Sequence, residues 1–174
     1  MLVVFGGLPG TGKTTVARLV AARCRAAYLR IDAIEQAMRS AGVLAAPGEV
    51  GPAGYMAATA LAEANLRLGL TVVADCVNPL AETRAAWRAA AAPGPLLEVE
   101  VVCSDPAEHR RRVEGRAADL PGLVPPTWAQ VLRREYHPWT GPRLALDTAL
   151  LGPAEAADRV CAEVDRRLRQ SAAR

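Results

Sequence analysis

Lysine is almost absent from this chain of 174 residues. Lysine and arginine together number 21, and Lys13 is the single lysine; arginine takes every other basic position. Aromatic residues make up only 4%, namely Phe5, Tyr28, Tyr55, Trp87, Trp128, Tyr136 and Trp139. They are too few and too scattered to suggest a platform on which nucleic-acid bases stack. The two histidines, His109 and His137, are far apart in sequence, and no histidine-based triad or zinc site is read from them; His109 is expected at the surface and His137 in local packing. The four cysteines, Cys24, Cys76, Cys103 and Cys161, form no C-x-x-C pair, so they predict buried thiols in a reducing cytoplasm rather than a metal or redox motif. No apolar run is long enough to span a bilayer, and a strand beginning at Leu2 argues against a signal peptide. Repeats and low-complexity linkers are also lacking. The net charge of +3 is too small to imply a nucleic-acid partner. With 51% hydrophobic and 22% charged residues, the composition is that of one globular domain over residues 1–174.

The lone lysine stands in the most informative stretch. Gly7-Leu8-Pro9-Gly10-Thr11-Gly12-Lys13-Thr14 fills the pattern G-x-x-x-x-G-K-[ST] of a phosphate-binding loop. Glycines let successive backbone N–H groups turn toward one anion. Lysine is a slim point charge that fits inside a ring of amides, whereas arginine is a flat fork. A chain this biased toward arginine keeps its one lysine where arginine does not fit. Leu2-Val3-Val4-Phe5 before the loop reads as a buried parallel strand, and Val16, Leu19 and Val20 after it recur at helical spacing. Gly7, Leu8, Pro9, Gly10, Thr11, Gly12, Lys13, Thr14 and Thr15 are therefore candidate ATP-binding residues, with the Thr14 hydroxyl placed to hold Mg²⁺.

Further strands are predicted over 27–31, 70–74, 96–103 and 143–146. Helices are predicted over 33–40, 55–68, 80–91, 106–118, 127–136 and 153–169. In the helix over 55–68, Ala57, Leu61, Ala64 and Leu68 share one face; in the last helix Ala157, Val160, Val164 and Leu168 do. Glu98 and Glu100 alternate outward along the fourth strand. Alternating strands and helices imply an α/β fold, a five-stranded parallel sheet flanked by helices on both faces. Residues 42–54, rich in Gly and Pro, read as a mobile loop, and about 106–126 as a lid.

Two aspartates end strands on the edge where the phosphates would sit. Phosphoryl transfer to a hydroxyl needs one carboxylate to orient and deprotonate the acceptor and another for the metal shell. Asp32 is assigned as the base, or else as a plain helix cap; Asp75 is assigned to Mg²⁺ or the acceptor. The reverse assignment is open. Arg112 and Arg116, four residues apart, are expected to share a helix face and neutralise the transferring phosphoryl group; a solvated face is the alternative.

At these residues the chain resembles a family of small phosphate-loop kinases that includes gluconate-type kinases, chloramphenicol phosphotransferase, zeta-type toxins and the kinase domain of phage polynucleotide kinase. The stretch Val72-Val-Ala-Asp-Cys-Val-Asn-Pro-Leu-Ala-Glu-Thr-Arg-Ala-Ala-Trp87 is similar to the polynucleotide-kinase segment of apolar strand, Asp-Thr-Asn and a helix with Ala-Trp. Arg112 to Arg116 and Val131-Leu132-Arg133 follow in order. The resemblance implies a P-loop kinase fold, ATP with Mg²⁺, a hydroxyl acceptor, and Asp32 as the catalytic aspartate. Ile31 and Glu35 stand where polynucleotide kinases tend to carry arginines. This favours a small acceptor such as a sugar, nucleoside or antibiotic, with a polynucleotide 5′-hydroxyl as the alternative. An ATP-binding regulatory module with little or no kinase activity is the reading from another class.

Overall fold

The computed structural model describes residues 1–42 and 51–173. Residues 43–50 of the expected mobile loop lie outside them; at its ends, Gly42 and Gly51-Pro52 form turns. The described elements, in chain order, are β1 (Leu2–Gly6), α1 (Lys13–Arg23), β2 (Ala27–Arg30), α2 (Ile31–Ser40), α3 (Ala53–Arg67), β3 (Val72–Asp75), α4 (Ala81–Ala91), β4 (Leu96–Val102), α5 (Pro106–Glu114), α6 (Trp128–Arg133), β5 (Leu144–Asp147) and α7 (Pro153–Ala172). The strands make one parallel sheet in the order β2-β3-β1-β4-β5.

Strand alternation explains how both faces are covered. Val3 and Phe5 of β1 point to one face, where they meet Val16 and Val20 of α1 and Ala156, Val160 and Val164 of α7. Leu2 and Val4 point to the other and join Ala58 and Ala62 of α3 with Trp87 and Ala91 of α4. A strand covered on both sides has no polar face, so β1 reads as a continuous apolar run. From central β1 the sheet grows toward β3 and β2 on one side and toward β4 and β5 on the other. The crevice outside the carboxyl ends at such a switch point is where ligands bind, and the phosphate loop leaves β1 there.

Several local expectations change. α3 buries Gly54, Ala58 and Ala62, while Leu61 is 46% and Leu68 77% exposed. Close approach of α3 to its neighbours selects small side chains over leucines. Glu98 does not reach solvent. It lies under α4, buried and paired with Arg88 at 3.0 Å, because β4 is an interior strand. In α7, Ala156 takes the buried place expected of Leu168. α5 ends at Glu114, so Arg116 is not on its face. Only Cys76 of the four free thiols is buried.

Candidate functional site

The phosphate loop is held open from outside. Gly10 and Gly12 both adopt φ of +85°, a conformation L side chains rarely take. A Cβ on Gly10 would also lie 2.4 Å from the Val113 methyl of α5. The loop carbonyls are tied away from the cavity. Thr11 Oγ1 donates to Leu8 O (2.9 Å), His109 Nε2 to Pro9 O (2.8 Å) and Thr148 Oγ1 to Thr11 O (2.8 Å). Gly7 N–H and Thr11 N–H are engaged by Val77 O (3.0 Å) and Leu8 O (3.3 Å), which leaves those of Gly10 and Gly12 to offer to an anion. The first N–H groups of α1, which lack intrahelical partners, add to this anion site.

Lys13 opens α1 and is only 7% exposed. Burial pulls its ammonium below the ordinary range, and the charges of Asp75 and Asp32 pull it back up. Those two carboxylates come from sheet register. Phe5 and Arg30 both lie opposite Asp75, so the ends of β1, β3 and β2 form one row beneath the loop. Asp75 is 2% exposed; its Oδ2 accepts from Tyr28 Oη at 2.8 Å. Asp32 lies one residue into α2, a helix with no side-chain cap, so the plain cap reading is corrected. Instead Asp32 Oδ2 accepts from Arg30 Nη2 at 3.2 Å. Glu35, one turn further, is raised above the usual carboxylate range by burial and by Asp32.

The far wall comes from the segment around α5. Arg112 Nε donates to Glu108 (2.7 Å), and its Nη1 and Nη2 donate to Thr148 Oγ1 (2.8 Å) and Thr148 O (3.0 Å). Arg116, beyond the helix end, hydrogen-bonds Asp119 Oδ1 at 3.4 Å. Despite lying on different local structures, both arginines line one cavity of about 590 Å³ with Gly10, Gly12, Lys13 and Thr14.

A family model described as an AAA domain matches residues 2–134. The chain belongs to this family. Among curated proteins, none matches it in sequence. Its structure is similar to a sugar kinase from Janibacter sp. HTCC2649 (17% identity, 94% of each chain, TM-score 0.69). It is also similar to a gluconokinase from Sinorhizobium meliloti 1021 (22% identity, 94% of this chain and 91% of that one, TM-score 0.64). A third likeness is to an APS kinase from Mycobacterium tuberculosis solved with AMPPNP and APS (22% identity, 94% and 96% covered, TM-score 0.66). At these identities the likeness establishes the fold, which is that of P-loop kinases.

Sequence reasoning missed several residues of this AAA-domain site. His109 is buried, not superficial, with its ring edge-on to Trp128 at 5.1 Å. A carbonyl can only accept, so its Nε2 carries the proton. Thr148 links the loop, Arg112 and β4 through one hydroxyl, which accepts from Arg112 Nη1 and shares its single proton between Thr11 O and Val102 O. Arg18 and Asp119 line the cavity. No local pattern marks any of them. No helix among the described residues is long and apolar enough to cross a membrane.

Proposed function

We propose that the chain is a cytoplasmic kinase that moves the γ-phosphate of ATP to a hydroxyl of a small molecule such as a sugar, nucleoside or antibiotic. One observation carries this reading. The single lysine is buried in the phosphate loop, within the field of two carboxylates set by strand register, and two arginines close the same cavity. Asp32, partly exposed at the start of α2, is the group able to touch an acceptor and take its proton. Asp75 is buried and held by Tyr28, which suits a fixed role. Thr14 and Asp75 offer hard oxygen donors of the kind Mg²⁺ takes, and only Oδ2 of Asp75 is engaged among the described residues. When bound there, Mg²⁺ would neutralise charge on the β- and γ-phosphates. Lys13 and the loop amides orient the phosphates, while Arg112 and Arg116 stabilise charge from the other wall.

A small acceptor is favoured over a nucleic acid. All seven aromatic residues are buried or half-buried, which leaves little ring surface for base stacking. The test is Asp32→Asn with ADP release followed across an acceptor panel. Turnover should fall by about 10²–10⁴ with ATP binding little changed. An intact rate would move the base to Asp75. ATP binding with no acceptor-dependent turnover would support the regulatory module instead, and phosphorylation of a 5′-hydroxyl oligonucleotide would overturn the small acceptor.

A further inference from the structure

Two arginines from opposite walls of the cleft converge on one carboxylate. Arg30 ends β2 and is 7% exposed. Its Nη1 donates to Asp119 Oδ2 at 2.5 Å and its Nη2 to Asp119 Oδ1 at 2.9 Å. Arg116 Nη2 reaches the same Oδ1 at 3.4 Å. Such a fork is how arginine takes up a carboxylate, sulfate or phosphate from outside. The two halves of the pair are unequal. The cation is fixed by a strand, buried to 6% side-chain exposure, and its Nε has no hydrogen-bond partner. The anion comes from the connection between α5 and α6, with its side chain 37% exposed. The cationic half is thus preorganised, and the anionic half is peripheral.

We propose that Arg30 and Arg116 form a seat for an acidic group of the acceptor, and that Asp119 fills it in the free protein as an internal stand-in. This rests on the kinase reading and narrows its substrate to hydroxyl compounds carrying a carboxylate, sulfate or phosphate. Position supports it, because Arg30 Nη2 is also 3.2 Å from Asp32, so an acid seated there lies beside the hydroxyl that Asp32 would activate. Charge supports it too. With Asp119 withdrawn, Arg30, Arg116 and Lys13 face Asp32 and Asp75, which leaves the seat net positive. The connection also rests on α2, since Gly122 closely abuts the amide of Gln36.

The probe is inorganic sulfate, titrated calorimetrically into the full-length protein saturated with a non-hydrolysable ATP analogue. One sulfate should bind. Asp119→Asn should tighten it by about tenfold, because the competing anion is gone. Arg30→Gln should weaken it by about 10- to 100-fold, the loss of a charged hydrogen-bonded pair. Should Arg30→Gln fail to fold, Arg116→Gln, nearer the surface, carries the same expectation. Unchanged sulfate affinity in Asp119→Asn or in the arginine variant overturns the seat. So does sulfate that binds beside ADP but is expelled by the ATP analogue, because the seat then belongs to the transferring phosphoryl group. Binding of the analogue in the same titrations reads the nucleotide site separately, and its failure would count against the kinase reading while sulfate is titrated without nucleotide. In the acceptor panel, a hydroxy acid and its amide complete the test: Arg30→Gln should raise KM for the acid by a far larger factor than KM for the amide, and an equal rise for both overturns the seat.

Discussion

His109 shows how a residue can serve a nucleotide site without facing the nucleotide. It sits on α5, 100 residues from the carbonyl it binds, and its imidazole pins Pro9 O away from the cavity. Without that donor the Pro9 carbonyl is buried unpaired, at a cost of about 1–3 kcal/mol. His109→Phe keeps the ring against Trp128 and removes only the donor. It should lower the unfolding free energy measured in urea by that amount and weaken binding of an ATP analogue, and His109→Gln should recover part of both. Equal stability of His109→Phe and wild type would show that the carbonyl finds another partner. The placement of Lys13, by contrast, was legible from sequence, because contiguous residues set it and their spacing is itself the geometry. The positions of Asp32 and Asp75 were legible for a related reason: a parallel sheet brings its strand ends to one edge. His109, Thr148 and Arg30 act through partners distant in sequence, and no pattern of neighbours encodes such a contact.

Helix α3 carries two stripes at helical spacing, and periodicity alone cannot choose between them. Ala57, Leu61, Ala64 and Leu68 form the more hydrophobic one, yet the sheet takes the line of Gly54, Ala58 and Ala62. The choice is steric. Gly54 abuts the Glu35 side chain of α2, with an ideal Cβ only 2.5 Å from its Cγ, and Ala58 and Ala62 pack in the cluster around Trp87. Overpacking a filled interface costs about 1–3 kcal/mol, so Ala62→Leu should be destabilised by that amount in urea unfolding. Leu68→Ser should stay within about 0.5 kcal/mol of wild type, and a larger loss there would return the leucine stripe to the core. The number of strands and their places along the chain were readable because each is a short apolar run between turns. The buried face of α3 was not, since it depends on how closely neighbouring elements approach. Glu98 failed for the same reason: its alternation was correct, but the face it points to is roofed by α4.

Across the whole molecule, an arginine-rich surface makes the acid side of the stability profile depend chiefly on carboxylates. Guanidinium groups stay charged at every ordinary pH, so the ion pairs fail only when their acids are protonated. Arg30 holds Asp119 down to about 2, and Arg166 with Arg167 holds Glu163 down to about 2. Glu163 accepts from Arg166 Nε at 2.8 Å and Arg167 Nε at 2.6 Å, and Arg167 also donates to Leu96 O, which ties α7 to β4. A depressed folded pKa means the native state binds fewer protons than the unfolded chain. The resulting stability is complete above the ordinary carboxylate range, near pH 4 to 4.5, and is lost as pH falls toward 2. Glu35 opposes this weakly, since a raised carboxylate favours the folded state once protonated. The melting temperature should therefore be level from pH 7 to about 5 and fall steeply through pH 4 to 2. Glu163→Gln isolates one contribution: the variant should melt below wild type at pH 7, and the gap should close as pH drops through that window. A gap that persists unchanged at pH 2 would mean that Glu163 acts by packing against α7 and not by charge.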